Sequence, residues 1–243
     1  MKDALRSVFF IALKDMKAYY FKPPNISWGI LFPLVFILAF YLRSSLDFVH
    51  LIPGLLSLSL LFSTTSMEAI VITFERMTGA LERLMLYPVS VRTILAGKIS
   101  GGACFGLTVT IVFLFGLILL FPFHLENPLL FLATVVISSF TFSSLGAFVS
   151  VSVKQVFEAQ TLANLFRFPM IFLSGVFIPV HSLPSMIKPI AYLMLLTYSI
   201  DSIKVSFGYQ PQIMHPLLSL FVLAVFALVS LGLSVNILKG RMS

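Results

Sequence analysis

Residues Glu75 to Lys98, ERMTGALERLMLYPVSVRTILAGK, form a charged stretch broken by a proline between two long apolar runs, Phe48 to Phe74 and Ile94 to Phe121. Runs of that length read as helices that cross a bilayer. A hydrocarbon core about 30 Å thick takes roughly 20 apolar helical residues, and lipid offers no partner to open backbone groups. Working outward from this stretch, six such spans are expected, at 26–42, 48–74, 94–121, 128–151, 162–179 and 216–238. The composition agrees, with 59% apolar and 10% charged residues and 26 Phe in 243, which excludes an ordinary water-soluble domain. The expected fold is an all-α integral membrane protein, one transmembrane domain over residues 1–243.

Lys and Arg are retained on the cytoplasmic side of a membrane protein. With both termini inside, only Arg43, Lys188 and Lys204 of the sixteen basic residues fall outside. The net charge of +7 is therefore read as a topology signal and not as a nucleic-acid-binding surface. A mixed-charge segment precedes the first apolar run and no small-residue cleavage site follows a short apolar core, so a secretory signal peptide is not expected and the chain reads as mature. The single cysteine, Cys104, falls inside a span and is read as a packing residue that forms no intrachain disulfide.

Residues 1–24 read as an amphipathic helix in the inner headgroup layer. Leu5, Val8, Phe9, Ala12, Leu13, Met16 and Tyr20 recur at helical spacing, and Lys14, Asp15 and Lys17 cluster on the other side. Pro23 and Pro24 end it, and Asn25 can cap the first crossing. The third span carries Gly97, Gly101, Gly102 and Gly106, the fourth Ser138, Ser139, Ser143, Ser144 and Gly146, and the second a run of Ser and Thr. Such faces let helices approach closely and point to packing within a bundle. Glu68 lies about two turns inside the cytoplasmic end of the second span, where an ionised carboxylate is costly. It is expected either to be held by nearby hydroxyls or by Arg167 at the inner end of the fifth span, or to line the cytoplasmic mouth of a translocation path with Arg167.

Within the opening stretch, Met77, Ala80, Leu81, Leu84 and Met85 fall on one face of a short helix, leaving Glu75, Arg76, Glu82 and Arg83 on the remaining surface. Pro88 ends this helix and Ser90 can cap the next. The segment Met186 to Ser199 is apolar but too short to cross, so residues 180–212 read as a re-entrant or interfacial helical hairpin on the outer face.

Glu75, Gly79, Leu81, Glu82, Arg83, Pro88, Val89 and Ser90 resemble the E-x-x-x-G-x-L-E-R-L-x-x-x-P-V-S run of type-2 ATP-binding-cassette transporter permeases. Downstream, Pro169, Leu173, Ser174, Gly175 and Pro179 are similar to that family's P-x-x-x-L-S-G-x-x-x-P run, followed by Leu183-Pro184 and Leu196-Thr197-Tyr198. Ala80 stands where Thr is usual and Met77 where a charged residue is common, changes that leave the helix and its charges in place. The resemblance implies a coupling helix over residues 75–88, with Glu75, Arg76, Gly79, Leu81, Glu82, Arg83 and Pro88 as ATPase-coupling residues. Pro169, Ser174, Gly175 and Pro179 then mark the outer segment. It also implies a dimer with itself or a related permease, two cytosolic ATP-binding subunits as partners, and residence in the cytoplasmic membrane. ATP and Mg would be bound by the partner subunits.

No G-x-x-x-x-G-K-[ST] loop occurs, so no ATP binding by this chain is expected. His50, His124, His181 and His215 are scattered without a metal-ligand spacing, and no nucleophile, base and orienting residue are grouped in sequence. The expected function is export of a lipophilic or amphipathic, drug-like compound, with a lipid-linked glycan or other cell-envelope component as alternative. A channel, a carrier and a membrane-embedded enzyme are more distant readings. Glu68 is the one convincing ionisable residue inside a span, where a carrier would need several.

Overall fold

The computed structural model describes residues 2–22, 31, 34–35, 38–39, 42, 48–121 and 124–241. Apart from its isolated described positions, the expected span 26–42 lies outside these residues, as do Pro23, Pro24, Asn25 and Arg43. In chain order the helices are α1 (Lys2–Asp15), continued by a π-helical turn (Met16–Tyr20), α2 (Phe48–Met77), α3 (Ala80–Met85), α4 (Val91–Leu120), α5 (Pro128–Ser152) and α6 (Val156–Leu173). A 3₁₀ turn (Val180–Ser182) leads to α7 (Lys188–Leu193), α8 (Leu195–Ser206) and α9 (Pro216–Gly240). The described residues form no strand. Among them α2, α4, α5 and α9 are the helices long and apolar enough to cross a membrane.

Helix α2 is the axis of the bundle. In its most apolar stretch 94% is buried, against 33% in α9. A helix so enclosed has little water for its hydroxyls, and several of them bond back to its own carbonyls. Thr64 donates to Leu60 O at 2.7 Å and Thr73 to Ala69 O at 2.8 Å. The serine-rich α5 packs against α2 and α9 and turns some of its hydroxyls to neighbouring helices. Ser138 donates to Ser199 Oγ, Thr141 to Leu223 O and Ser143 to Ile99 O, each at 2.9 Å. In lipid, where apolar surface gives no preference for a neighbouring helix over an acyl chain, such contacts hold the bundle together.

The N-terminal helix differs from its expected pose. Ile11 and Ala12 are buried against α4, while Leu5 and Phe9 stay exposed. A Cβ on Gly97 would lie 2.8 Å from Ile11 Cβ, and one on Gly101 would lie 3.2 Å from the Tyr20 ring, so the small face of α4 is the seat of α1 and its π-helical turn. Asp15, expected on the polar side, is fully buried at this seat. Cys104 is exposed on α4 and not a packing residue of the core.

Three element ends depart from the expectation for local reasons. Glu75, Arg76 and Met77 complete α2, and the expected 75–88 helix is reduced to α3, because Gly79 adopts φ +70° between them. Helix α6 begins at Val156 and not Leu162, since Glu158 folds back to accept from Lys154 N at 2.9 Å and Gln155 N at 3.2 Å. It stops at Leu173, where Gly175 takes φ +86°. The 180–212 segment contains two short helices that break at Met194, with the Asp201 carboxylate accepting from Gln212 N at 2.8 Å and Ile213 N at 3.3 Å.

Candidate functional site

The α2–α3 corner presents charge on a rigid mount. Leu81 is buried among Ile72, Ile94 and Leu95, which anchors α3 to the ends of α2 and α4, while Ala80, Leu84 and Met85 are half-buried. Glu82 and Arg83 are exposed, as are Leu86, Tyr87 and Pro88. Arg83 folds over the corner and donates from Nε to Gly79 O at 3.3 Å and from Nη2 to Thr78 O at 3.2 Å. Ser90 caps α4 by accepting from Thr93 N at 3.2 Å. Met77, expected on the buried face, is exposed, because it ends α2 ahead of the Gly79 turn.

Glu75 and Arg76 do not share that exposed surface. As the last turn of α2, they point into the bundle and not to the exposed side of α3. Glu75 is fully buried and accepts from Lys98 Nζ through Oε2 and from Lys14 Nζ through Oε1 at 2.6 Å. Lys98, equally buried, also donates to Asp15 Oδ2 at 3.0 Å, and Lys14 lies 2.9 Å from Asp15 Oδ1. Two ammonium groups and two carboxylates thereby neutralise one another where α1, α2 and α4 meet. Burial alone would lower the Lys14 pKa, but Asp15 and Glu75 hold it above the usual value. Arg76 donates from Nη2 to Val153 O, which Arg241 Nη1 also reaches at 2.9 Å, so two guanidinium groups serve the open carbonyls at the end of α5.

Glu68 and Arg167 are not paired. Glu68 is fully buried, accepts from the Tyr20 hydroxyl at 2.6 Å, and packs against Gly102 and Gly146. Arg167 approaches α2 from α6, donating from Nε to Thr65 Oγ1 at 2.6 Å and from Nη1 to Asn164 Oδ1 at 3.0 Å. Thr65 and Glu68 differ by three positions on one helix, yet Thr65 meets α6 while Glu68 meets α4 and α5. Arg167 lines a cavity of about 580 Å³ between α2 and α6, with Phe62, Ser66 and Gln160 among its neighbours.

At the other end of α6, Pro169 lies inside the helix, Ser174 N donates to Met170 O at 3.1 Å, and Pro179 precedes the 3₁₀ turn. Gly175 O accepts from Lys204 Nζ of α8 at 3.1 Å, which ties α8 to the end of α6.

Sequence reasoning missed Asp15, Lys14, Tyr20, Thr65 and Asn164 as partners of the buried charges. Lys98 was the available signal. A lysine inside an apolar run calls for a counter-ion, although the sequence leaves the identity of that acid open.

Residues 6–207 match the family model described as ABC-2 type transporter. Over 157 residues the chain is 25% identical to the inner membrane transport permease YadH of Escherichia coli (strain K12), covering 65% of this chain and 61% of the relative. The protein of the same description from Shigella flexneri matches to the same extent. The aligned region thus spans less than two thirds of the length of these curated relatives. No G-x-x-x-x-G-K-[ST] loop occurs in the sequence. With the charged α2–α3 corner in place and the family model matched over most of its length, the chain belongs to the ABC-2 type transporter permeases.

Proposed function

We propose that the chain is the membrane-spanning subunit of an ATP-driven exporter in the cytoplasmic membrane, moving a lipophilic or amphipathic compound outward. In this reading it has six spans with both termini inside, pairs with itself or a related permease, and recruits two cytosolic ATP-binding subunits that hold ATP and Mg. The observation that carries the reading is the corner at α3, where Glu82 and Arg83 are exposed on a helix whose Leu81 is seated in the bundle and which follows closely on α2, with Tyr87 exposed in the turn after it. A push on α3 is thereby passed to the most enclosed helix of the fold. ATP would act by joining the partner subunits, shifting the membrane dimer between inward-closed and outward-open states through differential contact. The relatives named as inner membrane transport permeases support the location.

Affinity purification from the native membrane in mild detergent, with mass spectrometry and an ATPase assay on the product, tests this. A stoichiometric Walker-motif protein with vanadate-sensitive activity is expected. The chain alone, in detergent and again after extraction into lipid nanodiscs, would overturn the transporter reading.

A further inference from the structure

Arg167 carries a positive charge that meets no negative one among the described residues. Its side chain is 1% exposed, its guanidinium carbon lies 5.2 Å from the centre of the Phe62 ring, and its two bonded donors go to the neutral oxygens of Thr65 and Asn164. Among the described residues no carboxylate reaches it, and Nη2 has no hydrogen-bond partner. A guanidinium stays protonated in proteins, so this charge cannot be removed by giving up its proton. Lys98, just as buried, is met by both Asp15 and Glu75. Among the described residues, acids therefore meet a buried cation in one place and are withheld in the other.

The withheld place is a cavity. Its volume of about 580 Å³ falls in the range of small-molecule sites. Phe62, Ile70 and Phe168 give it apolar walls, while Arg167, Asn164 and Gln160 supply polar groups, and Gln160 Oε1 also lacks a partner among the described residues. We propose that this cavity binds an amphiphile with an anionic head of phosphate or carboxylate type. A head oxygen accepts from Arg167 Nη2, and the apolar part lies along Phe62, Ile70 and Phe168. The assignment of that amphiphile as cargo rests on the exporter reading. An anionic bilayer lipid presents the same chemistry.

The test is equilibrium binding to the full chain in phosphatidylcholine nanodiscs, after subtraction of binding to empty nanodiscs. Oleoyl lysophosphatidic acid serves as the anionic probe and oleoyl lysophosphatidylcholine as its zwitterionic match. A preference of about tenfold or more for the anionic probe is expected, from charge-assisted hydrogen bonds made out of water. Arg167→Gln abolishes the preference. Gln160→Glu, which keeps the arginine and places a carboxylate in the same cavity, abolishes it too, so the outcome does not hinge on the folding of one variant. Equal binding of the two probes by the unaltered chain, or a preference that survives both substitutions, overturns the proposal, including the case in which a second copy of the chain covers the cavity. Displacement of the anionic probe by phosphatidylglycerol in the nanodisc identifies a bilayer lipid as occupant, and persistence of binding identifies cargo. Loss of anion selectivity in a preparation that still co-purifies an ATPase removes this site alone. Selectivity without any ATPase retains the site and removes transport.

Discussion

The hydroxyl of Tyr20 donates a 2.6 Å hydrogen bond to Glu68 Oε1, joining the π-helical turn after α1 to the C-terminal half of α2 across 48 residues of sequence. Both side chains are fully buried. Tyr20→Phe is expected to destabilise the protein by about 1–3 kcal/mol, since it leaves a buried carboxyl without its donor. Glu68→Gln keeps an acceptor oxygen and is expected to cost less than Glu68→Ala. Thermal unfolding in detergent compares the three. An unchanged midpoint for Tyr20→Phe would show that this bond does not hold α1 in place.

The ion cluster predicts strong non-additivity. Lys98→Met leaves Asp15 and Glu75 to share Lys14 alone, and removing one partner of a buried pair costs about 3–5 kcal/mol. Lys98→Met combined with Glu75→Leu leaves Lys14 and Asp15 to pair with each other and is expected to recover part of that loss. A double-mutant cycle on unfolding midpoints reads the coupling, and simple addition of the two effects would contradict the cluster.

Gly79 can be tested without touching any contact. Its φ of +70° disfavours a side chain, yet a Cβ there would meet only Glu82 Oε2, at 4.0 Å. Gly79→Ala is therefore expected to cost about 1 kcal/mol from backbone strain alone, with Gly79→Asn milder. If ATPase stimulation falls in both variants while insertion is normal, the angle of the corner matters for coupling.

Glu82→Lys reverses one exposed charge on α3 and leaves the buried residues in place. A roughly tenfold or greater loss of ATPase association, or hydrolysis uncoupled from transport, is expected if Glu82 meets a cationic partner surface. Membrane insertion should persist, as judged by protease accessibility of the termini. Unaltered coupling would take Glu82 out of the mechanism.

Much of this protein is determined by its sequence alone. Composition places it in a bilayer and the long apolar runs give the long apolar helices α2, α4, α5 and α9, because hydrophobicity is a local property. The helix ends at Gly79 and Gly175, by contrast, were not read from the sequence, which carried the 75–88 helix and the 162–179 span through them. The close-packing face of α4 was legible, since Gly97 and Gly101 leave room that another helix must fill. The partners of the charged residues were not legible. Lys98 meets Glu75 over 23 positions and Arg167 meets Thr65 over 102, and a helix with small or apolar residues on every side does not announce which face turns to which neighbour. That rotation is decided only when all the helices pack. It placed Glu75 inside the bundle, gave Glu68 to Tyr20 and left Arg167 facing a cavity with no acid among the described residues, because in lipid the polar contacts select the arrangement and each depends on helices distant in the chain.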